Sequence, residues 1–198
     1  SALGSLLIGT VVAIMRVSPI GFLNKVGAFY VNVVRNTPFT LIIVFCNIGF
    51  IVNLGMSFSD NIARNNIIWA IIGLSFYHAA FVCEALRSGV NTVPQGQAEA
   101  ARAIGLTFGQ SLTEVLLPQA FRGAITPLGN TLIALTKNTT VATAIGVAEI
   151  SGLMKEMMEF RPDLIFVIFF VVAAGFVLLT LPVGVLTTHL SSTLAVKR

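Results

Sequence analysis

The sequence predicts an all-α, polytopic membrane protein, and three observations carry that prediction. Of 198 residues, 56% are hydrophobic and only 10% are charged, with a mean hydropathy of +0.91. A soluble domain carries about 25% charged residues, so this chain has too few to cover a water-facing surface. Charge-free windows recur at lengths close to the ~20 residues an α-helix needs to cross a hydrocarbon core. The basic residues are also segregated between the connections, as membrane topology demands. The net charge of +4 is modest and gives no reason to invoke nucleic acid.

The windows define five spans. Residues 1–15 form the first, and it reads as incomplete, because the chain opens on Ser1 inside an apolar run. With no Met and no basic segment before it, that run is not a signal peptide. The second covers 36–59, the third 65–83 up to Glu84, and the fourth 123–148, broken by Lys137. The fifth, 164–188, is the longest and holds Pro182.

Orientation follows from Lys and Arg. If the 85–122 connection is cytoplasmic, that side holds Arg16, Lys25, Arg35, Arg87, Arg102, Arg122, Lys197 and Arg198. The other side holds Arg64, Lys155 and Arg161. Eight against three sets the N-terminus outside and the C-terminus in the cytoplasm.

On the outer side, residues 55–66 read as a short loop. Residues 149–163 space Ile150, Leu153, Met154, Met157 and Met158 at helical intervals with charges between, ending at Pro162. That pattern predicts an amphipathic helix lying at the outer interface. Cys46 and Cys83 sit in apolar runs without a paired Cys or His, so neither a disulfide nor a metal site is expected.

The polar stretch from Gln97 to Gly123 is the anomaly in so oily a chain. Thr92-Val-Pro-Gln95 reads as a capping box, opening a helix through Glu99 that ends near Gly105, where a glycine can take a positive φ. Thr107-Phe-Gly-Gln110 repeats the box and opens a second short helix that breaks near Pro118. Two capped helices with a glycine elbow make a rigid projection, and Ala100, Ala101 and Ala103 keep its surface low enough for another protein to approach.

Glu99-Ala100-Ala101, then Gly105, then Val115 and Leu117-Pro118, resembles the EAA signature of ABC-importer permeases, with Val115 in place of the usual Ile. "VRNTPFTLIIVF" from Val34 is similar to the R-G-T-P-L segment of polar amino-acid permeases, with Asn36 replacing Gly. "EALRSGVNTVPQGQAEAARAIGL", "PLGNTLIALTKNTT" and the terminal "TLAVKR" extend the resemblance over nearly the whole chain, towards actinobacterial glutamate-uptake permeases.

The resemblance implies a type I ABC-importer permease core in one domain, 1–198, with its EAA loop at about 88–122. It implies a bacterial cell membrane and a polar amino acid, glutamate, as substrate. It also implies three partners: an ATP-binding cassette subunit, a second permease chain (homologous or a copy) and an extracytoplasmic substrate-binding protein. Glu99, Ala100, Ala101, Gly105, Leu117 and Pro118 would then engage the ATPase. This chain has no G-x-x-x-x-G-K-[ST], so ATP and Mg belong to the partner, and no cofactor is expected here.

Ionisable groups within spans are costly and mark pathways or paired positions. Glu84 closes the third span three residues before Arg87, an i,i+3 neighbour. By resemblance it stands where family members hold the substrate's α-amino group. Lys137 lies mid-span beside Asn138, Thr139 and Thr140, with a backbone carbonyl or Glu84 as a structural partner, or a substrate carboxylate as its ligand. Many amino-acid permeases have Asp where this chain has Asn138, and losing that charge favours an anionic substrate. Tyr77 and His78, two turns before Glu84, could line the same path, although a lone membrane His more often packs with a hydrogen bond. Thr37-Pro38 would start the second span sharply and free backbone groups beside a cavity.

Two rival readings fit parts of the sequence: an ion-coupled secondary transporter, and a membrane anchor or scaffold without its own path. Five spans without an internal repeat disfavour the first, and Glu84 and Lys137 within spans disfavour the second. With two His and no nucleophile–base pair or metal cluster, the chain offers no catalytic residue, and an enzyme is not expected.

Overall fold

The computed structural model describes residues 1–194, so Lys197, Arg198 and most of "TLAVKR" lie outside the described residues. Among the described residues it is all-helical, with nine α-helices and π and 3₁₀ segments between them. Helix α1 (Ala2–Val17) is followed by α2 (Gly21–Arg35). Helix α3 (Phe39–Phe45) continues as a π-helix over Cys46–Asn53. Helix α4 (Ile62–Asn91) is the 30-residue centre of the structure, its first turn closed by the Asn61 side chain accepting from the Arg64 N–H.

On the far side of α4 come α5 (Gln95–Ala103), the single turn α6 (Phe108–Gln110), a π segment (Ser111–Leu116) and α7 (Leu117–Asn138). A 3₁₀ stretch, Thr139–Ile145, leads to α8 (Ile150–Phe160), and Pro162–Leu164 leads into α9 (Ile165–Leu194).

Small residues seat these helices. Helix α1 lies along α4, and α7 along its other side, with α9 outside α7. A Cβ on Gly9 would stand 2.6 Å from the Val82 Cβ and 2.7 Å from the Ala79 carbonyl, and one on Gly89 would strike Ala120 and Ala124 of α7. Only hydrogen fits there, which lets the backbones pack closely where lipid offers no hydrophobic drive between helices. Helix α2 crosses the same region, burying Val31 and Val34 against Ala80 and Cys83 of α4 and Val12 and Ala13 of α1. A second cluster joins Phe39 and Ile43 of α3 to Ala70 and Leu74 of α4 and Ala142 and Ile145 of the 3₁₀ stretch. The outward faces stay oily: Phe166, Phe170 and Leu178 of α9 are exposed, as lipid-facing residues must be. Cys46 and Cys83 are buried free thiols.

Two helices, Ile62–Asn91 and Pro162–Thr193, are by themselves long and apolar enough to cross a membrane, and the pair Gly21–Arg35 and Phe39–Asn53, bent by 99°, forms a possible third. The expected first span falls short in length, with 16 helical residues. The fourth falls short in composition: α7 has 22 residues but carries Gln119, Arg122, Asn130 and Thr131 among its apolar positions.

Several boundaries differ from the sequence expectation. The third span does not close at Glu84: α4 runs on to Asn91, because Glu84 and Arg87 pair along one continuous helix. The 16–35 connection is mostly the amphipathic helix α2. The fourth span is α-helical only to Asn138, which places Lys137 in the last turn of α7 rather than mid-span.

Candidate translocation face and coupling loop

The bend between α2 and α3 is built by three consecutive residues. Asn36 Nδ2 donates to the Asn32 carbonyl and Thr37 Oγ1 to the Val33 carbonyl at 2.8 Å, closing the last turn of α2. Pro38 then bars continuation and becomes the N-cap of α3. This fixes Arg35 on one side of the corner and Phe39 on the other.

Both residues face the same stripe of α4. Tyr77, Phe81 and Glu84 follow at i, i+4 and i+7, one face of a helix. Phe39 packs on Tyr77 with centroids 4.9 Å apart and rings tilted by 36°, Tyr77 meets Phe81 at 5.1 Å, and the Arg35 guanidinium lies 5.6 Å over the Phe81 ring.

Next to this stripe, His78 is buried at 1% exposure. Asn138 Nδ2 lies 3.2 Å from His78 Nε2. The other ring nitrogen, Nδ1, has no hydrogen-bond partner among the described residues. The pair ties α4 to the point where α7 gives way to 3₁₀ geometry. There Thr139 Oγ1 donates to the Thr136 carbonyl and Thr140 Oγ1 to the Lys137 carbonyl, holding the tightened turn.

Glu84 is the hub of an ion cluster. Arg87 forks onto it, Nη2 to Oε2 at 2.9 Å and Nε to Oε1 at 3.2 Å. Arg16 of α1 donates to Oε1, and Arg35 Nη1 stands 3.4 Å from Oε2. Of the partners open to Lys137, Glu84 is not one: three arginines from α1, α2 and α4 occupy that carboxylate. Lys137 is exposed and makes no ion pair among the described residues.

The coupling loop begins differently from the expected Thr92 box. Thr92 is the C-cap of α4, its hydroxyl donating to the Gly89 carbonyl, and Pro94 is the N-cap of α5 without a side-chain bond. The helix therefore starts on proline's fixed φ alone. Its end follows expectation: α5 stops at Ala103 and Gly105 takes φ +86°. The second box is present, with the Gln110 N–H donating to Thr107 Oγ1 at 3.3 Å and the Thr107 N–H to Gln110 Oε1 at 2.9 Å.

This second helix does not break at Pro118 but widens before it into the π segment Ser111–Leu116, and Pro118 falls in the first turn of α7. Proline gives no N–H to the Glu114 carbonyl and its ring crowds that oxygen, so the turn opens instead of stopping. Glu99, Ala100, Gly105, Leu117 and Pro118 are exposed and Ala101 is buried.

Residues 5–196 match the family described as the inner membrane component of binding-protein-dependent transport systems. The chain belongs to that family. The permease is 49% identical to the glutamate transport system permease protein GluC of Corynebacterium efficiens, over 100% of this chain and 89% of that one. The figures are the same for GluC of Corynebacterium glutamicum. A glutamine ABC transporter permease protein GlnM, described as probable, from Bacillus subtilis is 32% identical over 96% of this chain and 85% of its own length. Among solved structures, the crystal structure of an amino acid ABC transporter with histidines matches with TM-score 0.84 and 25% identity, covering 97% of this chain and 86% of that one. These likenesses make the chain a membrane transport component rather than a catalytic enzyme, with the fold of a type I ABC-importer permease.

Within the permease, two residues escaped the sequence reading. Ile104 and Phe108 flank the Gly105 elbow and are 78% and 80% exposed. Large apolar side chains inside an otherwise polar loop were the available signal. Arg35 was read as a cytoplasmic charge and as the Arg of the R-G-T-P-like segment; its contacts with Glu84 and Phe81 were not.

Proposed function

We propose that this permease forms half of the translocation path of an ATP-driven glutamate importer. The full-length likeness to two glutamate transport permeases carries the reading. The arginine surplus around Glu84 and the neutral Asn138 agree with an anionic substrate.

In this account the substrate passes along the α4 stripe. Thr37, Tyr77, Asn138 and Thr139 offer polar contacts, with His78 buried behind Asn138 as its hydrogen-bond partner, and Lys137 offers positive charge beside the unwound end of α7. Glu84 meets the substrate's amino group once an arginine gives way. A separate ATP-binding subunit, holding ATP and Mg, grips the loop at Glu99, Ala100, Ala101, Gly105, Leu117 and Pro118, with Ile104 and Phe108 as apolar anchors.

Nucleotide-driven closure of that subunit moves α5, and the continuous run from α6 through the π segment carries the motion into α7. A second permease chain completes the path, and an extracytoplasmic binding protein delivers substrate to the outer side, where α8 lies. The N-terminus is outside and residues 1–198 act as one permease domain.

The test is uptake and ATP hydrolysis by the complete complex in proteoliposomes, with glutamate, glutamine, arginine and histidine offered in turn. Glutamate uptake that requires ATP supports the reading. Uptake confined to another amino acid overturns the substrate, and uptake without the ATPase subunit overturns the mechanism.

A further inference from the structure

We propose that α2 lies along the membrane surface and docks on anionic phospholipid, with Phe22 and Phe29 among the acyl chains and Lys25 on a headgroup phosphate. The leaflet alone depends on the proposed orientation, which makes it the cytoplasmic one.

The division of α2 into three faces is the first ground. Gly27, Val31 and Val34 share one side at helical spacing, and that side is buried against α1 and α4. Phe22, Val26, Phe29 and Val33 follow at i, i+4, i+7 and i+11 along a second side and are exposed, Phe22 to 74% and Phe29 to 71%. Lys25, Asn32 and Asn36 run down the third and are exposed as well. An apolar stripe flanked along its length by a polar one suits a helix at the boundary between hydrocarbon and water.

Length and direction are the second. The 15 residues of α2 reach about 22 Å, short of the ~30 Å hydrocarbon core. At the Asn36–Pro38 corner the chain turns by 99° into the apolar segment Phe39–Asn53. With that segment crossing the bilayer, α2 runs along the surface. The polar stripe agrees, since Lys25 and Asn32 stand two turns apart on one side, and a crossing helix would draw one of them into hydrocarbon.

Charge is the third, and it selects the lipid. Lys25 makes no ion pair among the described residues. It is three residues from Phe22 and four from Phe29, so its stem can cover the rings while the ammonium reaches the phosphate layer. Arg16, whose carbonyl accepts from Asn24, and Arg35, the last residue of α2, bracket the helix. They share the single carboxylate of Glu84 with Arg87, which leaves this edge net positive. Such an edge favours anionic over zwitterionic headgroups.

The experiment puts the photoreactive analogue benzoylphenylalanine in place of Phe22 or Phe29 in the complete transporter. The bilayers are phosphatidylcholine mixed with phosphatidylglycerol, and mass spectrometry identifies the adducts after illumination. Both positions give lipid adducts, and at position 29 phosphatidylglycerol exceeds its share of the bilayer. Lys25→Gln lowers that excess about fivefold, the worth of one lysine at an anionic surface. Lys25→Arg keeps it.

An adduct with the ATP-binding subunit or the second permease chain as the main product at either position overturns the proposal and gives the stripe to that partner. A phosphatidylglycerol share equal to the bilayer's in wild type, or unaltered in Lys25→Gln, overturns it too. So does a Lys25→Gln complex that fails to assemble, because Lys25 then holds protein rather than lipid.

Discussion

Glu84→Gln removes the one negative charge that three arginines share, and the cost can be worked from the cluster. The carboxylate side chain is 20% exposed and that of Arg16 is 17%, while Arg87 and Arg35 are more open at 37% and 44%. Breaking a buried pair by removing one partner costs about 3–5 kcal/mol, and the two open arginines recover part of that by hydration. The expected loss is about 2–4 kcal/mol, or roughly 5–15 °C in melting midpoint for a chain of this size.

The arginines should behave in the opposite order. Arg35→Gln lowers the surplus charge and breaks no hydrogen bond, so its cost should stay within about 1 kcal/mol. Arg16→Gln, at the most buried pair, should fall between them. The assay is thermal unfolding of the purified complex in nanodiscs at neutral pH. A Glu84→Gln complex that melts with wild type, or an Arg35→Gln complex that melts lower than Glu84→Gln, would refute the account of Glu84 as the hub joining α1, α2 and α4.

Three further outcomes are expected. Gly105→Pro and Glu99→Lys should leave the permease inserted but reduce substrate-stimulated ATP hydrolysis and uptake together, since proline cannot adopt φ +86° and lysine reverses an exposed charge on α5; normal stimulated hydrolysis in both would remove the coupling role of the loop. His78→Ala should cost about 1–3 kcal/mol in thermal unfolding, because Asn138 loses its partner at the end of α7 and a cavity opens. Glu149 caps α8: burial alone would raise its pKa, but bonds from Ser151, Thr143 and Gly152 outweigh burial and hold it below the ordinary 4.5. A depressed carboxylate stabilises above its unfolded value and loses that contribution as pH falls through the folded one. Wild type should therefore lose more stability than Glu149→Gln on going from neutral to acid pH, and parallel pH–melting curves would contradict the cap.

Local chemistry was legible in the sequence where its cause was local. The glycine elbow at Gly105, the Thr107–Gln110 box and the stop of α8 before Pro162 each depend on residues within a turn of one another, and each is present. The Thr92 box failed because α4 did not stop where its charge-free window did. Glu84 and Arg87 satisfy each other along the helix, so polarity there did not signal an end. The π segment before α7 was also beyond reading by periodicity, although Pro118 supplies its reason. The site's organisation depends on contacts far apart in the chain. Arg16 meets Glu84 across 68 residues and Asn138 meets His78 across 60, so the pattern around either residue did not give that partner. Arg87, three residues on, was the one partner of Glu84 that the local pattern offered, and it is present; Arg16 and Arg35 come from other helices.

The central claim is that this permease carries glutamate under the power of a separate ATPase. Its most direct test is ATP-dependent uptake of labelled L-glutamate into proteoliposomes bearing the complete complex, with unlabelled glutamine, arginine and histidine as competitors. The account predicts uptake that stops without ATP, that excess glutamate abolishes, and that arginine and histidine leave untouched. Uptake that persists without ATP, or that arginine or histidine suppresses as fully as glutamate does, would contradict it.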